Sequence, residues 1–169
     1  VRWTEGNGRQ PEILVDNIAC SRLVMDNEGS LYVSSAEKRE VRRFREGDRQ
    51  GTIVAGGNGR GSRFELLNSR SYLFVDEEQS VYVSNWADHR VVKWLRDAKK
   101  GTIVVGGNGR GSALSQLSSP QGVIVDRWGQ VYVADFDNHR AVRWRDDEKE
   151  GELVVGGNGR GQGLNQVSY

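Results

Sequence analysis

Gly107-Asn108-Gly109-Arg110-Gly111 is written three times in this chain, at 57–61, 107–111 and 157–161, with a step of 50 residues each time. Outward from it, the same step carries Asp26 to Asp76 to Asp126, Tyr32 to Tyr82 to Tyr132, and Phe44 to Trp94 to Trp144. From residue 21 to residue 161 the three copies align without a gap. A fixed period of this length marks an architecture of stacked supersecondary units, and it constrains the fold before any local propensity is read.

One copy reads as four short strands. In the third, the apolar run Gly122-Val123-Ile124-Val125-Asp126 meets a tight turn at Arg127-Trp128-Gly129. Gln130-Val131-Tyr132-Val133-Ala134 returns, the loop Asp135-Phe136-Asp137-Asn138-His139 follows, and Arg140-Ala141-Val142-Arg143-Trp144 forms a third strand. A polar connection then leads to Glu152-Leu153-Val154-Val155. Strand, turn with Gly and returning strand is a hairpin signal. Nothing in the chain has a helical period. Val131 and Val133 point one way and Tyr132 the other, so the early strands are apolar on both sides and are expected to be covered on both faces. Four-stranded sheets packed face to face around an axis meet that demand. The expected fold is therefore all-β, a β-propeller of three four-stranded blades with one extra fourth strand at the N-terminus.

These residues also carry a family resemblance. Gln121-Gly122-Val123-Ile124-Val125-Asp126, then Gly129-Gln130-Val131-Tyr132-Val133-Ala134-Asp135, then Asn138-His139-Arg140 resembles an NHL repeat. The second copy is similar through Val75-Asp76, Val81-Tyr82-Val83-Ser84 and Asp88-His89-Arg90; the first departs in its loop, where Lys38-Arg39-Glu40 stands instead. The resemblance implies a propeller and leaves function open, because the family spans RNA-binding modules of tripartite-motif proteins, sensor domains and an amidating lyase.

The boundaries read as 1–16 for the end of a preceding blade and its crossover, 17–61, 62–111 and 112–161 for three blades, and 162–169 for a crossover to a further blade. Val1 to Thr4 align with a fourth strand. Closed propellers take about four to eight blades. The favoured reading is a piece of a longer propeller; the other is two copies closing a six-bladed ring by strand exchange. Either way the arc is expected to present uncovered apolar faces at its ends.

Composition narrows the partners. Basic and acidic residues nearly cancel, 24 against 23, which argues against a general nucleic-acid binder. Most of the basic residues are Arg, suited to carboxylates and aromatic faces. One cysteine, Cys20, excludes an intrachain disulfide and a cysteine-rich metal site. No apolar run of 18 residues occurs, so no membrane partner is expected.

The candidate site residues follow from the repeat. Arg9, Arg60, Arg110 and Arg160 fall at one repeat position and would ring one rim, where they could attract an acidic partner or a polyanion. The glycines around them could form an anion-binding nest, but the favoured reading is a crossover between blades, since no helix follows. Trp86 and Phe136, with Trp128 in a neighbouring turn, could stack on a ligand or wedge between blades. His89 and His139 share one position whose first-blade equivalent is Arg39, one ligand short of a zinc site; a structural hydrogen bond is favoured. Asp26, Asp76 and Asp126 stand before turns, and accepting turn amides is favoured over binding a cation. No nucleophile setting or catalytic triad is present, so no enzyme, metal or cofactor is expected. The leading expectation is a binding scaffold for a protein or other macromolecule, with RNA binding, glycan binding and a metal-dependent lyase or hydrolase as alternatives.

Overall fold

A computed structural model of the chain describes residues 15–16, 18–57, 71–161, 163 and 166–167. The expected N-terminal strand at 1–4, Arg9 and Arg60 lie outside the described residues. Among the described residues, twelve strands form three four-stranded antiparallel sheets, each a meander in chain order. The first holds β1 (Cys20–Met25), β2 (Leu31–Ser35), β3 (Glu40–Phe44) and β4 (Thr52–Gly56). The second holds β5 (Tyr72–Val75), β6 (Val81–Asn85), β7 (Arg90–Trp94) and β8 (Thr102–Gly106). The third holds β9 (Pro120–Val125), β10 (Val131–Asp135), β11 (Arg140–Trp144) and β12 (Glu152–Gly156).

The strands fall within two residues of where alternation and turns placed them. β9 starts at Pro120 rather than Gly122, at the one strand position where a missing N–H costs least. The loop after β10 closes as a single 3-10 turn, Phe136–Asn138. In all three sheets the ladder between the third and fourth strands is interrupted at the same place: between Val41 and Arg42, Val91 and Val92, and Ala141 and Val142. Such a bulge twists the outer edge and re-aims the side chains beyond it.

The core consists of two joints between sheets. At the first, Tyr32, Val41 and Ala55 pack on Leu73, Val75, Val81, Val83, Val92 and Trp94. At the second, Tyr82, Val91 and Val105 pack on Val123, Val131, Val133, Val142 and Trp144. The middle sheet is therefore buried on both faces, and every residue of β6 is buried. The close approaches between sheets concentrate on β1, β5 and β9, which makes these the inner strands of the arc. Among the described residues, the outer faces of the first and third sheets have no such cover. Leu23 is 64% exposed where its repeat equivalent Leu73 is 8%, and Val155 is 46% exposed where Val105 is 2%.

Candidate functional site

Chain direction sorts the loops onto two ends. Turns after β1, β5 and β9 lie at one end; loops after β2, β6 and β10, with the crossovers between sheets, lie at the other. Trp128 precedes β10 and Phe136 follows it, so the five-residue strand separates them by about 16 Å. The structure thus groups Arg110, Trp86, Phe136, His89 and His139 on one end and sets Trp128 apart on the other.

The crossover end is a dense polar network. Arg140 Nε donates to Asp135 Oδ2 at 2.8 Å, and both side chains are almost wholly buried. The other guanidinium nitrogens donate to the carbonyls of Ser112, Ala113 and Gln116, clasping the crossover between sheets. Asp135 also accepts from the Ser118 amide at 2.6 Å and from the Asn138 side chain at 2.7 Å. A buried ion pair this fully bonded offsets its desolvation cost. The equivalent pairs in the other sheets differ in sequence. In the second sheet Asn85 and Arg90 share Asp88, and in the first Ser35 and Glu40 stand where Asp135 and Arg140 would.

Arg110, exposed at this end, is paired: it reaches Asp137 at 3.1 Å and the Ser118 hydroxyl at 2.9 Å. Arg160 is also exposed at its crossover. Two backbone amides of the Gly107–Gly111 stretch and its Asn side chain bond within the fold. Gly107 donates to the His89 carbonyl, Gly111 to the Leu117 carbonyl, and the Asn108 side chain to the Ser115 carbonyl.

His89 adopts the left-handed conformation, as His139 and Arg39 do, and its Nδ1 accepts the Ser119 amide at 3.0 Å, joining the second sheet to the third. Burial holds His89 below the ordinary histidine range; Arg110 pushes the same way, and Asp137, Asp88 and Asp135 oppose. Protonation at Nδ1 would remove that acceptor. Below about pH 6.5 the unfolded chain therefore binds more protons than the folded one. The stabilisation is complete above that pH and is lost as pH falls towards the depressed folded value. Thermal melts between pH 8 and 5 should show this loss, and His89→Gln should flatten it.

At the opposite end the three aspartates build their turns. Asp26 Oδ1 accepts the amides of Glu28 and Ser30, and Asp76 Oδ1 accepts that of Ser80. Asp126 Oδ1 accepts Trp128 and Gln130, each at 2.9 Å, while Oδ2 takes the Gln130 side chain and the Tyr132 hydroxyl. Removing the acceptor in Asp126→Ala should cost about 1–2 kcal/mol by urea denaturation, and Asp126→Asn should retain most of that.

Between these turns lies a cleft of 460 Å³ that all three sheets line. Its wall carries Met25, Phe74, Glu77, Glu78, Lys93 and Trp128. Trp128 is 69% exposed, with the Arg127 guanidinium 4.3 Å above its ring. Lys93 sits 5.0 Å from the Tyr82 ring centre. Burial works against its charge, but Tyr82, Asp76 and Asp146 outweigh burial and lift Lys93 above the ordinary lysine value. Glu77, Glu78 and Lys93 escape a motif search because they belong to no motif. They are visible only as positions where the three repeats differ.

Residues 117–140 match the sequence profile of the NHL repeat, the stretch that contains the Asp135–Arg140 ion pair. No curated protein sequence matches the chain. Among solved structures, a Bacteroides thetaiotaomicron protein of unknown function superposes with a TM-score of 0.66 at 16% identity, covering 87% of this chain and 40% of its own. An auxiliary nutrient binding protein of the same organism gives 0.57 at 16% identity, with 85% and 36% covered. A streptogramin B lyase gives 0.52 at 12% identity, with 85% and 43% covered. At these identities the likeness concerns the fold, and the chain spans about two-fifths of the length of each structure. Residues 117–140 are an NHL repeat, and the three sheets have the fold of β-propeller blades.

Proposed function

We propose that the chain is a non-catalytic binding scaffold that recognises a macromolecular partner through the turn-built end of its propeller. One observation carries this reading: an indole left largely in solvent on the rim of a concave cleft shared by three blades. Large exposed apolar groups beside polar ones characterise recognition surfaces, and propeller loops supply them on a rigid frame. The groups that chemistry would need are engaged in the fold: His89 with an amide, Asp26 and Asp126 with turns, Asp135 with Arg140. Among the described residues, no three His, Cys, Asp or Glu side chains converge as a metal-ligand set.

The test is an array of immobilised peptides, glycans and RNAs probed with labelled chain. Wild type and Arg110→Gln should mark the same spots, and Trp128→Glu should lose them. Loss with Arg110→Gln and retention with Trp128→Glu would move the site to the crossover end.

A further inference from the structure

The three-fold repeat supplies an internal control for what each turn needs. Positions 28, 78 and 128 are equivalent, and they hold Glu28, Glu78 and Trp128. Glu28 and Trp128 use the same group in the same way: the backbone N–H donates to Oδ1 of the preceding aspartate. Position 29 turns through positive φ at Gly29, Gln79 and Gly129 alike. The turn therefore needs the aspartate and the left-handed residue, and two blades complete it with a carboxylate where the third has an indole. Trp128 contributes its backbone N–H to the turn, which does not require the indole. Its ring is nevertheless exposed, which leaves a large apolar area in water.

The surroundings select the ligand. The Trp128 ring lies on the rim of the 460 Å³ cleft, room for one or two sugar rings. On the second blade, Glu77 and Glu78 line the same cleft and are exposed, and carboxylates accept hydrogen bonds from hydroxyls. Arg127 on the third blade and Lys93 on the second supply donors in the same lining. Carboxylates outnumber cations in the lining, with Asp26, Asp76, Glu77, Glu78 and Asp126 against Lys93 and Arg127, so a phosphate chain would be repelled. A flat indole flanked by acceptors and donors, with no cationic excess, matches a neutral polyol that has one apolar face and a rim of hydroxyls.

We propose that the cleft between the turns at Asp26, Asp76 and Asp126 is a carbohydrate-binding site, in which a neutral sugar ring stacks on Trp128 and its hydroxyls bond to Glu77 and Glu78. The proposal rests on the scaffold reading and deepens it. The second blade holds the acceptors and the third holds the platform, so the ligand bridges two blades.

The test is tryptophan fluorescence titration with soluble neutral oligosaccharides of glucose, mannose, xylose and N-acetylglucosamine, run beside an oligo-arginine peptide. At least one oligosaccharide should quench or shift the emission saturably. Trp128→Glu, which places at 128 the residue type of the other two turns, should weaken binding about tenfold or more by calorimetry, with an unchanged melting temperature. Glu77→Gln with Glu78→Gln should weaken it less. Binding of the peptide alone, lost in Trp128→Glu, would overturn the carbohydrate proposal and leave the scaffold reading standing. Saturation by neither probe overturns the proposal, and an array on which Trp128→Glu loses nothing overturns the scaffold reading separately.

Discussion

Asp135→Ala is expected to lower stability by about 3–5 kcal/mol, a large part of what a domain of this kind possesses. The carboxylate lies with no exposed surface and receives Arg140, Asn138 and the Ser118 amide. Without it, the Arg140 guanidinium keeps its bonds to the crossover carbonyls but stays buried with an uncompensated charge. A double variant, Asp135→Leu with Arg140→Met, should lose less than Asp135→Ala, because no lone charge remains. The same truncation in the second blade, Asn85→Ala, removes a neutral side chain bonded to Asp88 rather than a charged one, so it should cost less than Asp135→Ala. Urea denaturation of the four chains measures the ordering. Equal losses at 85 and 135 would contradict the assignment of Asp135 as the clasp.

Gly106→Ala is the second large effect. Gly106 ends β8 with φ +71°, and a Cβ there would stand 2.5 Å from the His89 carbonyl oxygen. The obstacle is backbone, fixed because the same carbonyl accepts the Gly107 amide. Left-handed geometry costs an L residue about 1–2 kcal/mol before any contact is counted. The displaced carbonyl also disturbs the His89 ring bonded to Ser119, so the total should reach about 3 kcal/mol. Gly156→Ala, with its Cβ 2.3 Å from the His139 carbonyl oxygen, should behave alike. Gly129→Ala pays only the conformational term, since nothing lies within 4 Å of its Cβ position. Thermal melts of the three variants should separate Gly129→Ala from the other two.

The sequence made the blades legible because two periods coincide in it. Alternation within a strand placed Val131, Tyr132 and Val133 on opposite faces, and the 50-residue step put the same alternation in three sheets. The joints then follow: Val91 faces one neighbour and Val92 the other. Long-range pairing was not legible. Arg110 and Asp137 lie 27 residues apart, and nothing in either loop indicates that the crossover folds back over the third blade. The end on which each aromatic sits depends on strand direction rather than residue type, so Trp128 and Phe136 looked like neighbours in the sequence. The repeat itself carried the better signal. Where three copies agree, as at Asp26, Asp76 and Asp126, the residue builds a turn; where they part, as at Glu28, Glu78 and Trp128, the turn does not require that side chain.

The central claim is that recognition belongs to the turn-built end and the crossover end is structural. Amide hydrogen exchange tests it most directly, recorded with and without the oligosaccharide that binds best in the fluorescence series, or the peptide if that binds instead. The account predicts slowed exchange in the turns at 75–78 and 126–129, with the loops at 86–89 and 136–139 unchanged. Protection centred on Arg110 and the loop at 136–139, with the turns unaffected, would contradict it.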